Sequence, residues 1–350
     1  MACVVLLFIM FMKNTLILSL IAVILVRCGQ SEQIPDVSGI PMPVTVYRSE
    51  QDLFSHDSTQ AAAGLSLLHQ KDPVFSEFLQ HQILDIPENI DAAQRIAFIG
   101  SYLKQYEPVF KESATTFKEF KPIEDEILLA FRLAKHYLGN RFKAPKKLIT
   151  YIGPFNDWSN ILSPNGDVYI GLQYHLDTLS TFYQHPLFKE HYPDYITRRF
   201  IPENIAVRTA ENVMLDLYPE TTEERTLIQL MIEKGKRLYL LEKLLPNKPK
   251  HLLIGYTKNQ YDACMQQQAQ IWNMFLHDDR LQTMNITNIR SYIGDSPKTQ
   301  ELAEDAPGNL GSFTGWQILR HYMKKFPETT IHEMMMLSAE EILQKAKYKP

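Results

Sequence analysis

The sequence predicts an α+β fold, mostly helical, with a small antiparallel sheet packed against the helices. Three observations predict it. Apolar residues recur at three- and four-residue steps over most of the chain, interrupted by Pro or Gly. Two short runs, Lys147 to Ile152 and Val168 to Leu172, are rich enough in β-branched and aromatic residues to be strands. The turn-forming Ser163-Pro164-Asn165-Gly166-Asp167 lies between them, which makes an antiparallel pair the expected arrangement.

The composition agrees. The chain has 350 residues, 45% apolar and 22% charged, as in globular proteins. A net charge of −4 speaks against nucleic acid as a partner, because such binders carry a basic excess. The three cysteines are Cys3, Cys28 and Cys264. Two sit in the N-terminal apolar segment, so the folded body holds one and has no disulfide framework.

Residues 1–27 are nearly all apolar and read as a signal peptide or membrane segment. If Met12 is the start, Met12-Lys13-Asn14 is a charged n-region and Thr15 to Val26 the h-region, with Cys28 directly behind it as a site of lipid attachment. If Met1 is the start, the segment stays as a membrane anchor. Arg27 stands where a lipoprotein cleavage site carries a small residue. Residues 28–43, with Pro35, Gly39, Pro41 and Pro43, read as a tether. Residues 44–350 read as one body, opening on a weak strand at Val44 to Tyr47.

Helices are expected over Ala61 to Gln70, Pro73 to Leu84 and Asp91 to Tyr106, the last broken at Pro108. Pro122 to Leu138 is the clearest, with Pro122, Glu124 and Asp125 in its first turn and Gly139 as its stop. Arg132, Lys135, Arg141, Lys143, Lys146 and Lys147 form a basic patch around its end, read as a solvated face. After the two strands come helices over Pro202 to Leu217 and Glu223 to Leu245, then Ala263 to Leu276. Arg290 to Pro307 reads as a loop. The stretch Pro307 to Met323 is a Gly-rich turn that launches an amphipathic helix, with Ser312 or Thr314 as its cap. Ile331 to Leu337 and a final helix capped by Ser338 close the chain.

Strand pair, helix, helix is also the order in zinc metallopeptidases of the zincin type, so a degenerate zincin-like scaffold lacking the metal site is a second expectation for the fold. The chemistry itself needs two imidazoles one turn apart and a carboxylate beside them. Here the first helix reads Ala206-Val207-Arg208-Thr209-Ala210-Glu211-Asn212, without a histidine. Glu233 lies between basic neighbours, Lys234 and Lys236, and His332-Glu333 has no second histidine one turn on. Glu211 and Glu233 therefore read as structural or surface residues. No catalytic residue, metal ligand or cofactor is assigned.

Other constellations are weaker. Gly311-Ser312-Phe313-Thr314-Gly315 has its serine one place too early for a nucleophile elbow. Cys264 reads as a small buried apolar residue. His175 and Asp177 could be an acid–base pair, although Asp177 as a helix cap explains them more simply. Tyr151, Phe155, Trp158, Tyr169 and Tyr174 offer an aromatic ligand site.

Several blocks, in order, carry a family resemblance. Gly311-x-x-x-Gly315-Trp316-Gln317-Ile318-Leu319-Arg320-x-Tyr322-Met323 resembles the C-terminal signature of the gliding motility-associated lipoprotein B family (GldB-like). Asp167 to Asp177, Glu233 to Tyr239 with Leu245-Pro246, Ile254 to Thr257, Ile271-Trp272 and Lys347 to Pro350 are similar to other blocks of that family. The resemblance runs from about Cys28 to the C-terminus. It implies a non-enzymatic, lipid-modified protein anchored through Cys28 in the bacterial cell envelope, at the outer membrane and facing the periplasm. Its partners would be the membrane and other envelope proteins of the gliding and associated protein-secretion machinery. Gly311, Gly315, Trp316 and Tyr322 would be the structural signature. A zincin-like metallopeptidase or other envelope hydrolase is the alternative function.

Overall fold

A run such as Leu148-Ile149-Thr150-Tyr151-Ile152 is stable as a strand when both its faces are covered, the situation of strands in parallel sheets. The computed structural model, which describes residues 33–156, 159–220, 225–299 and 306–350, shows this arrangement. The sheet has four strands: β1 (Thr45–Arg48), β2 (Lys147–Tyr151), β3 (Ile161–Leu162) and β4 (Val168–Gly171). Their spatial order is β1-β2-β4-β3. β1 pairs with β2 in parallel, and β2 with β4 in parallel, Leu148 opposite Val168 and Tyr151 opposite Gly171. Only β3 runs antiparallel, to β4.

The sheet is thus mixed, and the expected antiparallel pairing of its two main strands is corrected. The turn Ser163 to Asp167 does close a hairpin, with Gly166 at φ +85°, but the hairpin joins β4 to the two-residue β3. Asp167 also ties β2, its carboxylate accepting from the Lys147 backbone N–H at 3.0 Å.

One face of the sheet, through Leu148, Ile152, Val168 and Ile170, joins the main core. The other, through Ile149, Tyr151 and Tyr169, joins a second core built by the N-terminal helices. These are α1 (Ser49–Leu53), α2 (Ala61–Lys71), α3 (Pro73–Phe78) and α4 (Ala92–Thr116). A π-helical turn, Leu79–Ile83, extends α3. Asp91 and Gln94 form a capping box at the start of α4. Pro108 does not break α4, because Tyr102, Leu103 and Val109 continue one buried face through it. At the β1–β2 edge Glu50 is buried, holding Arg48 Nε at 2.6 Å and accepting from Thr150 Oγ1 at 2.6 Å. Burial raises its carboxyl above the usual range against the pull of Arg48.

The main core begins with α5 (Lys121–Leu138), which ends at Gly139 with φ +59°. The basic residues at its end are partly engaged: Arg132 donates to the Ile40 carbonyl, and Lys147 pairs with Asp72 at 2.5 Å. Two short helices, α6 (Pro186–His191) and α7 (Asp194–Thr197), carry Phe188 and Tyr192 onto Tyr183 and Phe200. Then follow α8 (Asn204–Leu217), α9 (Leu227–Leu244), α10 (Lys250–Ile254), α11 (Lys258–Gln266) and α12 (Gln268–Leu276). The single helix expected over Ala263 to Leu276 is therefore two. α13 (Ile286–Ile293) occupies the start of the expected loop.

The last layer is α14 (Leu310–Lys325), α15 (Ile331–Met336) and α16 (Ala339–Ala346). Neither Ser312 nor Thr314 caps α14. The cap is Asn309, left-handed at φ 61° with no side-chain hydrogen bond, and Thr314 Oγ1 instead donates back to the Leu310 carbonyl. The chain divides into two units, residues 1–36 and Val37–Pro350, and all these elements belong to the second. Among the described residues no helix is long and apolar enough to cross a membrane. Cys3, Cys28 and Trp158 lie outside the described residues.

Candidate functional site

α14 crosses α9 at the centre of the body, and glycines make the crossing possible. A Cβ on Gly315 would overlap the Met231 carbonyl oxygen of α9. A Cβ on Gly235 would come within 2.7 Å of Trp316 N and closer still to the Gly315 carbonyl. Gly311, one turn earlier, leaves room for Ile293 and Met231, which a Cβ would meet at 2.8 and 3.1 Å. Backbone therefore lies on backbone, and Trp316 fills the space beside the contact with 0% exposure.

The Trp316 indole N–H donates to Glu242 Oε2 at 2.8 Å, and Arg320, one turn on, donates to both oxygens of the same carboxylate at 2.9 and 2.7 Å. The Arg320 guanidinium also lies 4.9 Å above the Trp316 ring. Burial alone would raise the Glu242 carboxyl, but Arg320 and Lys250 outweigh it and hold it below the ordinary range. Tyr322 is buried against Phe326, ring centres 4.8 Å apart. Glu242 escaped the sequence reading. The signal for it was an indole N–H and a guanidinium one turn apart on a buried face, which together require an acceptor.

The carboxylates at the zincin-like positions do not converge. Glu211 receives Arg208 Nη1 at 2.8 Å on the outer side of α8. Glu233 receives the buried Lys236 Nζ at 2.7 Å, and that ammonium also donates to the carbonyls of Met335 and Leu337. The two glutamates line different clefts. His332 meets the Tyr218 hydroxyl at 3.0 Å, while Glu333 is spent on a capping box with Thr330. No three His, Cys, Asp or Glu side chains among the described residues are grouped as a metal would need.

His175 and Asp177 do not pair. Asp177 is exposed and accepts from the Leu179 N–H in a turn that starts no helix. His175 is 2% exposed, with Nε2 2.8 Å from Asn160 Oδ1 and Nδ1 3.3 Å from the Ile201 carbonyl. Burial pushes its pKa down to about 3, so the ring is neutral and its single proton serves the shorter contact. Asn160, at φ +53°, is the hub of this network. Its Nδ2 donates to Thr209 Oγ1 at 3.0 Å, and its carbonyl accepts from Asn212. It thereby locks the loop before β3 onto α8.

The aromatic set does not form one site either. Tyr151 and Tyr169 pack on Phe75 in the second core, whereas Phe155 and Tyr174 belong to the cluster around Phe188 and Phe200. Cys264 is buried and its thiol is pushed up to about 12 by desolvation, which suits packing and not nucleophilic attack.

A concavity with chemical character lies between α8, α9 and the start of α14. It holds about 380 Å³. Val207, Leu215, Leu238, Leu241 and Leu252 give it an apolar floor, and charged residues crowd its walls. The charges are paired: Arg199 with Asp295 at 2.6 Å, Arg208 with Glu211 at 2.8 Å, Lys234 with Glu220 at 2.8 Å. Gly255, at φ +74°, leaves the space in which the Arg199 guanidinium lies.

Among known proteins, a family model described as gliding motility protein GldB matches residues 30–350. The chain belongs to this family. No curated protein and no solved structure matches it. As a member of the GldB family it is a gliding motility-related lipoprotein. In this GldB family chain the Gly-Trp stretch that resembles the family signature is the helix crossing just described.

Proposed function

We propose that this GldB family member is anchored by lipid on Cys28 in the cell envelope, at the outer membrane and facing the periplasm. There it supports gliding motility and the associated protein-secretion machinery by holding other envelope proteins, without catalysis. The family match from residue 30 carries the reading, because it starts two residues after the cysteine that follows the h-region. Lipid on a cysteine gives stable anchoring when two or more chains are attached, and palmitate at Cys28 is the expected modification. The non-catalytic part is supported by the pairing of Glu211 with Arg208 and of Glu233 with Lys236, which leaves neither carboxylate free to hold a cation or activate water.

Two measurements test the proposal. Mass spectrometry of the mature protein should give an N-terminal Cys28 with acyl chains; an unmodified Cys28 rules the anchor out. Crosslinking and pull-down from envelopes should recover envelope proteins of the gliding and secretion apparatus. Elemental analysis that returned about one zinc per chain, lost in Glu233→Ala, would favour the metallopeptidase alternative instead.

A further inference from the structure

We propose that the cleft between α8, α9 and the start of α14 binds a short peptide segment of a partner protein, seating one aliphatic side chain on its floor. Five buried polar atoms of the cleft lining lack hydrogen-bond partners among the described residues: the Nε donors of Arg199 and Arg237, and three more that carry the inference. These three are Asn204 Oδ1, Asn309 Oδ1 and Ser312 Oγ, all buried and all on residues that line the cleft. Asn204 and Ser312 are each 2% exposed. The Asn204 amide is oriented, since its Nδ2 donates to the Arg199 carbonyl at 2.9 Å, so the buried oxygen is an acceptor lacking a donor. Asn309 and Ser312 stand at the start of α14, where no side chain caps the first-turn N–H groups. Buried polar atoms left unsatisfied are uncommon and costly, so five on the wall of one cleft point to a ligand that satisfies them.

The chemistry of that ligand follows from the walls. Two amide oxygens require N–H donors, which phosphate or carboxylate cannot supply. The uncapped helix start and the Nε donors of Arg199 and Arg237 favour an acceptor such as a carbonyl oxygen close by, and Ser312 Oγ can give or take a hydrogen bond. Three of the four cleft cations, Arg199, Arg208 and Lys234, are paired with Asp295, Glu211 and Glu220, and the fourth, Arg237, shares Glu220 at 3.6 Å, so the cleft has little net charge to offer an ion. A peptide unit offers N–H and C=O together. The floor is aliphatic, not aromatic, which suits a Leu-like side chain better than a sugar ring. This rests on the non-catalytic reading above, because the segment is held and not cleaved.

The test uses the full-length protein in detergent micelles. The probe is the blocked pentapeptide acetyl-Ala-Ala-Leu-Ala-Ala-amide, followed by saturation-transfer NMR and titration. Binding is expected, weaker by about tenfold when Asp replaces the central Leu, in line with one lost apolar contact. Ser312→Ala and Asn309→Gly should each weaken binding about fivefold or more, with unchanged melting temperature; Gly keeps the left-handed backbone at that position. Absence of binding, equal binding by both variants, or displacement by cellobiose or phosphate at the peptide's own concentration overturns the peptide site. Cleavage of the bound peptide, read by mass spectrometry, would instead overturn the non-catalytic reading.

Discussion

Trp316 shows how one residue can hold several elements. Its ring closes the space beside the α9–α14 contact, its N–H satisfies Glu242, and its face receives Arg320. Trp316→Ala should cost about 3–5 kcal/mol in chemical denaturation, the usual penalty for emptying a core aromatic site. Wild-type stability in that variant would reject the core role. His175 makes the opposite electrostatic case. Its folded pKa, near 3, lies below its ordinary 6.5, so between those values the unfolded chain binds the extra proton. Its stabilising contribution is complete above pH 6.5 and shrinks as the pH falls, by about 1.4 kcal/mol per unit. In His175→Gln, which cannot titrate, the stability gap from wild type should therefore narrow by about 1–2 kcal/mol between pH 7 and 5.5. A constant gap across that range contradicts the assignment. The burial of Trp316 was legible from its phase with Leu319 and Tyr322. The Asn160–His175 network was not, since buried polar residues in a loop leave no periodic trace.

Among elements, helices were the legible part and the sheet was not. The apolar phase of α5, α8 and α9 identifies them without tertiary information, and Thr330 marks a start, but the capping boxes at Thr226 and Thr257 escape the sequence reading, so helices expected from Glu223 and Ala263 start instead at Leu227 and Lys258. β3 is two residues long, below any pattern, so the hairpin turn before β4 pointed to the wrong partner. The continuous apolar run of β2 was the better clue, because it already required cover on both faces. Pro108 misled for a related reason. A proline inside a helix costs about 3 kcal/mol locally, and the buried face shared by both halves of α4 offsets it. The α9–α14 crossing gives the sharpest element-scale test. Gly315→Ala places a methyl on the Met231 carbonyl, where no side chain can rotate away, so the two helices must separate. We expect failure to fold or a loss of several kcal/mol, beyond that of Gly311→Ala, whose Cβ meets the Ile293 and Met231 side chains and the Tyr292 carbonyl at 2.8 to 3.1 Å, where that of Gly315→Ala would overlap backbone outright. Equal thermal stability of the two variants would show that the crossing tolerates a Cβ.

At the scale of the whole molecule, the candidate cleft was out of reach of sequence reasoning. Its lining comes from the segment before α8, from α8 and α9, from α10 and from the two ends of the α13–α14 connection. Only the family resemblance spoke to function at this scale, and it did so through scattered blocks and not through a catalytic motif. Removal of everything after Asn309 should leave a chain without its central helix, expected to be digested rapidly by limited proteolysis; a protected fragment ending near Asn309 would show that α14 is dispensable.

That expectation bears on timing. Trp316 meets Glu242 across 74 residues, and Ser49 bonds to the Thr150 carbonyl across 101. The two cores are therefore closed by contacts that are distant along the chain, the kind that form slowly. Synthesis runs from the N-terminus, and α14 is among the last helices to emerge. Until it does, α9 has nothing to lie against at Gly235, and the main core stays open. If the envelope placement proposed above holds, the chain crosses a membrane extended, and such late closure is an advantage: the helix that completes the fold is also the one that arrives after most of the chain has passed.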